Sequence, residues 1–183
     1  MYRGILLGAF TLTPTTLFAE APCEVENTPE NILALSRVAV SESGFSSPED
    51  QGAILAVLCD VRDRARRRSG RRLSLAWAAR KYSPYATGVR HPRRSRHVWV
   101  RGLNLALEKP AGWPDSRANW LRYRKMWANL LWRSQKFIEG TMAHECEEVV
   151  NHWGGSMDRY RAVRARWVLV NCGNTLNEYW RYP

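Results

Sequence analysis

Apolar side chains fall at Ile32, Leu35 and Ala39, and the same alternation of three and four residues carries the stripe on to Glu42. That is one face of an α-helix, and Gly44 is placed to end it in a left-handed conformation. At the end of such a stripe Glu42 would stand in the last helical turn, near the negative pole of the helix dipole and among apolar neighbours. Both effects oppose the ionised carboxylate and favour the protonated acid. A second stripe runs through Ile54, Val57, Leu58 and Val61, announced by Ser47 as N-cap, Pro48 in the first helical position, and Glu49 and Asp50 in the first turn. Acidic residues there complement the dipole, so Glu49 and Asp50 read as helix-start charges. This helix runs into RDRARRRSGRR, residues 62–72, which reads as a solvated helix end broken by Gly70.

A short helix is predicted over 73–81, opened by Ser74 and stopped before Pro84, and the following KYSPYATGVRHPRRSRH reads as a loop. Another helix fits 96–107, ended by Pro110. The strongest helical pattern lies within 115–139, where Trp120, Tyr123, Trp127, Leu130, Leu131, Phe137 and Ile138 recur at helical spacing before Gly140. That spacing explains the tryptophans as core. Beyond Gly140 the chain is rich in turn residues, with a β-branched run over 167–170. Loops, two short strands and a tail in which Tyr179 and Trp180 pack back are expected. The fold class predicted is mainly α, a single α+β domain with a helical core and a small irregular or β part at the C-terminus.

With 183 residues the chain suits one domain, and nine tryptophans argue for a real core. The opening MYRGILLGAFTLTPTTLFAEAP has Arg3, an apolar run over 4–10 and small residues at Ala19 and Ala21. This layout predicts a secretory signal peptide over 1–21 and a mature domain over 22–183, secreted or periplasmic; it is too short and polar for a membrane span. Four cysteines, Cys23, Cys59, Cys146 and Cys172, fit an oxidising compartment. They allow three pairings among which the sequence does not choose. Cys146 with Cys172 is favoured, and Cys59, inside an apolar helix run, is also readable as a buried free thiol.

Lysine and arginine number 28 against 17 acidic residues, a net charge of +11. Loss of Arg3 and Glu20 with the signal would leave that balance unchanged. Such a surplus attracts polyanions, and export directs attention to anionic envelope polymers. Nucleic acid is not expected, because the arginines cluster in one loop and no nucleic-acid motif is present. Nor is there a phosphate loop, a zinc signature or a Gly-x-Ser-x-Gly elbow, so no cofactor and no metal are expected.

The segments ALSRVAVSESGF, DQGAILAVLCDVRDRAR and KYSPYATG together resemble the cell-wall hydrolases of the spore-cortex-lytic type, themselves similar to lysozyme-like lytic transglycosylases. The similarity spans roughly residues 32–180, most of a domain of ordinary size. It implies a lysozyme-like fold, peptidoglycan as substrate, and cleavage between N-acetylmuramic acid and N-acetylglucosamine. By the same resemblance Glu42 is the general acid and base, Ser43 and Gly44 shape the turn behind it, and Tyr82 and Ser83 line the glycan groove. The family's Asn-Arg on the second helix is here Asp63-Arg64. Within NHWGG and CGNTLNEYW, His152, Trp153 and Asn174 are further candidates for sugar contacts, although a turn histidine, a core tryptophan and a turn asparagine would equally suit the pattern. Glu42 could instead pair with Arg64 or another arginine. The same groove without turnover would make a wall-binding module.

Overall fold

The computed structural model describes residues 23–45, 47–84 and 117–183. The signal peptide expected over 1–21, the helix expected over 96–107 and the side chain of Trp120 lie outside what is described.

Helix α1 spans Pro29–Ser43 and starts earlier than the apolar stripe, because Thr28 caps it and Pro29 opens it. The Thr28 hydroxyl accepts the Asn31 N–H at 3.3 Å. It ends as expected at Gly44, where φ is 74° and the N–H bonds to Val40 O at 3.1 Å. Helix α2, Pro48–Ser69, opens at Ser47, whose Oγ accepts the Asp50 N–H at 3.1 Å, and closes at left-handed Gly70. Helix α3 is Leu75–Tyr82, capped by Ser74, and helix α4 is Arg117–Ile138. Helix α1 packs on α2, α3 and α4. Leu35, Val38, Ile54, Leu58, Leu75 and Leu130 are fully buried between them, each contributing on the order of 2 kcal/mol. A polar seam crosses this core: the Ser36 and Ser134 hydroxyls pair at 2.7 Å, and Gln51 donates to Leu130 O at 2.9 Å and to Ser134. Buried and mutually paired, these groups set the register of three helices.

Gly52 shows how closely α2 and α4 meet. A methyl group there would stand 2.8 Å from the Phe137 ring and 3.0 Å from His144 Cβ. Alanine in a helix interior normally gains up to about 1 kcal/mol over glycine. Here overpacking should reverse the sign, and Gly52→Ala is expected to lower unfolding free energy by about 1–3 kcal/mol in urea titrations. A stabilised variant would contradict the close approach.

The C-terminal part holds more regular structure than its turn-rich sequence predicts. Strands β1 (His152–Gly154), β2 (Val168–Val170) and β3 (Glu178–Arg181) form an antiparallel sheet in the order β1-β3-β2. His152 lies opposite Trp180, which lies opposite Leu169; in the next row Trp153 faces Tyr179, which faces Val170. Tyr179 and Trp180 pack back, at 1% and 2% exposure. Helix α5, Ser156–Arg164, was not expected. Its signals are weak: Gly155 offers no capping side chain, and the left-handed residue closing it is Arg166, with φ 58°. The Arg166 and Trp167 N–H groups bond to Val163 O and Ala162 O, the hydrogen-bond pattern that glycine usually completes.

Cys146 is bonded to Cys172, and Cys23 to Cys59. Cys59 is therefore not a free thiol: the chain before α1 lies along α2 and brings Cys23 to it. Loops of 36 and 26 residues are closed in this way, each worth about 3–4 kcal/mol in the chain-entropy account. Arg62 corrects the reading of the basic run as wholly solvated. It is 2% exposed, donates to Glu24 O at 2.8 Å and pairs with Asp63 at 2.7 Å, whereas residues 67–72 are exposed as expected. No helix among the described residues is long and apolar enough to cross a membrane.

Candidate functional site

The C-terminal ends of α1 and α3 meet the loop before β3 at Glu42. Its side chain is exposed, not shielded on the core face as the stripe suggests. Burial continues through Ala39, Val40 and Ser43, so Glu42 stands beside the face that the core covers and its side chain points past the edge of that face. The buried Ser83 hydroxyl donates to Glu42 Oε1 at 3.0 Å. No ion pair with Arg64 forms; Arg64 binds Asp60 at 2.6 Å, one turn back on α2. Ser43 is buried and its hydroxyl donates to Ala39 O at 2.9 Å, within α1.

Asp50 holds the loop that flanks Glu42. It is fully buried, and it accepts from Leu176 N–H at 2.6 Å, Asn177 N–H at 3.2 Å, the Asn177 amide at 3.0 Å and the Tyr179 hydroxyl at 2.7 Å. A helix-start charge is thus also the anchor of a segment more than 120 residues away in sequence. The Asn177 amide also reaches Glu42 O at 3.4 Å. Asn174 lies exposed on the preceding turn; the asparagine beside Glu42 is Asn177, and its spacing in the sequence carried no signal of that.

Tyr82 and His152 do come together. The Tyr82 hydroxyl is hydrogen-bonded to His152 Nδ1, and its ring lies 4.5 Å from that of Trp153. Burial pushes the Tyr82 phenol above its ordinary range, with nearby Tyr182 adding to the effect. His152 is pushed below its usual value, chiefly by burial; Asp158 opposes the shift and Arg161 reinforces it. The phenol stays protonated and the imidazole neutral, and the tautomer of His152 decides which of the two donates in this bond. Trp153, at 5% exposure, is a core residue under this pair. Beyond it His152 meets Trp167 edge-on at 4.9 Å, Trp167 lies 4.8 Å from Tyr182, and the Arg64 guanidinium covers Tyr182 at 5.1 Å.

A pH dependence of stability follows. Burial also lowers His144, so the folded state resists protonation of two histidines that the unfolded chain accepts near pH 6.5. Their contribution is fully present above about pH 6.5 and is lost as the pH falls from there through the lowered folded values. The thermal midpoint should fall between pH 7 and 5, with a shallower slope in His152→Gln. An unchanged slope would contradict the assignment.

No group of three or more His, Cys, Asp or Glu side chains suited to a metal ion occurs among the described residues. No family model, curated protein or solved structure matches this chain.

Proposed function

We propose that this chain cleaves peptidoglycan glycan strands between N-acetylmuramic acid and N-acetylglucosamine, as a lytic transglycosylase in which Glu42 is general acid and then general base. The observation that carries this reading is an exposed carboxylate at a helix end whose Oε1 is fixed by buried Ser83 at 3.0 Å. A positioned carboxyl group open to a polymer is what acid catalysis at a glycosidic oxygen requires. Ser83 engages Oε1, which leaves Oε2 to carry the proton. As that proton reaches the glycosidic oxygen, the muramoyl C1–O bond breaks and its electron pair leaves with the N-acetylglucosamine unit. The resulting carboxylate then removes the proton of the muramoyl 6-hydroxyl while that oxygen bonds to C1, closing the 1,6-anhydro ring and restoring the acid.

Two-carboxylate hydrolysis needs a partner at roughly 5–9.5 Å. Asp50 and Glu49 are the nearest carboxylates after Glu42 in sequence, and Asp50 is taken up by four donors of the C-terminal loop. This favours the single-carboxylate route. Two disulfides and the +11 charge fit work outside the cytoplasm against an anionic envelope, in a secreted or periplasmic protein.

A peptidoglycan-binding module without turnover is the second reading. Asp63 favours it, standing where the resemblance expects asparagine and locked to Arg62 at 2.7 Å. Mass spectrometry of soluble products from purified peptidoglycan separates the two. Anhydro-muropeptides from wild type and none from folded Glu42→Gln are expected. Reducing-end products would mean hydrolysis, and binding to sacculi with no soluble fragments would leave the module.

A further inference from the structure

Arg64, His152, Trp167 and Tyr182 form a contiguous cluster rich in hydrogen-bond donors, drawn from α2 and all three strands' end of the sheet. The Arg64 side chain is 31% exposed, stacks over Tyr182 at 5.1 Å and uses Nη2 for Asp60. That contact is an ion pair, and no hydrogen bond leaves the guanidinium among the described residues, although it carries five N–H groups. His152 has Nδ1 occupied by Tyr82, and no hydrogen bond among the described residues reaches its Nε2. The indole N–H of Trp167 is likewise without one. All of these side chains but Arg64 touch one another through their rings, at 4.8 to 6.5 Å between centres, and each is partly open to solvent. Asp60, the acid beside Arg64, is already paired. The unused guanidinium and indole donors match a ligand that supplies acceptors, and ring faces match the C–H face of a sugar.

We infer that this cluster is a subsite for a carboxylate-bearing sugar of the glycan strand, the carboxylate being taken by Arg64 and the sugar ring by Trp167. It rests on the proposed substrate and extends it: the cluster reads the acidic lactyl group, or the peptide stem built on it, that separates a muramoyl unit from N-acetylglucosamine. Its position suits that role. Ser83, which holds Glu42, is the chain neighbour of Tyr82, and Tyr82 contacts His152. Glu42 and Arg64 are therefore linked through the Tyr82–Ser83 backbone and a short series of side-chain contacts.

The test is binding in the Glu42→Gln background, followed by tryptophan fluorescence. The probes are a soluble oligomer alternating N-acetylglucosamine with muramic acid bearing its free lactyl carboxylate, and a neutral N-acetylglucosamine oligomer of equal length. The acidic oligomer should bind about tenfold tighter. Arg64→Gln should abolish that preference while leaving the neutral oligomer unaffected, and Arg64→Lys, which preserves the Asp60 pair but not the planar fork, should restore only part of it. Trp167→Leu should weaken both ligands. Equal affinity for the two oligomers with Arg64 intact, or a preference that survives Arg64→Gln, overturns the inference. Product analysis with the Glu42 enzyme is separate: absence of cleavage with the preference present would refute the proposed catalysis and retain the subsite.

Discussion

Asp50→Ala should lower the unfolding free energy by about 3–5 kcal/mol, the range for removing one partner from a buried charged network. The carboxylate is fully buried and receives two backbone N–H groups, the Asn177 amide and the Tyr179 hydroxyl. Removing it strands these donors, each worth about 1–3 kcal/mol when left unpaired, with part recovered by water because Leu176 and Asn177 are not fully enclosed. It also removes a negative charge from the first turn of α2, where the dipole favours one. Asp50→Asn should lose less. Its carbonyl can still serve the three donors now on Oδ1, but its NH2 group would face the Leu176 N–H donor. Urea titration of both variants gives the order wild type, Asn, Ala. Amide hydrogen exchange should rise first at Leu176 and Asn177. A loss under about 0.5 kcal/mol in Asp50→Ala would show that the loop is held by something else.

Glu42→Gln should reduce glycan cleavage by a factor of about 10² to 10⁴, the usual contribution of a general acid or base. The amide preserves size and can still accept from Ser83, so the fold should be retained; the exposed side chain makes that expectation firm. Ser83→Ala is the informative companion. Without its hydroxyl the carboxyl group rotates more freely, which should lower kcat by roughly tenfold with little change in KM. Equal losses in KM and none in kcat would make Ser83 a sugar contact instead. Full activity of Glu42→Gln would remove Glu42 from the chemistry.

Much of the helical framework was legible in the chain. Ser47-Pro48 and Ser74 start α2 and α3, and Gly44, Gly70 and Gly140 stand at positive φ where the first, second and long helices end. These signals are readable because a cap and its partner lie within three or four residues. Where the local signal is missing, as at Gly155 and Arg166, α5 went unseen. Glu42 lies off the covered face for a related reason: apolar periodicity gives the direction of a stripe around the helix axis but not its width, and in the last turn the buried position is Ser43, next to Glu42.

The site depended on closure of the whole chain. Local order explains why Asp50 sits in a first turn, but its four partners come from residues 176, 177 and 179, delivered by the register of β3 between β1 and β2. The same register brings Trp167 and Tyr182 to His152, and the path of the segment before α1 brings Cys23 to Cys59. Residue type and spacing specify helices because their hydrogen bonds are local. Which distant donor reaches a buried carboxylate is settled only when packing has excluded water and left that partner in reach.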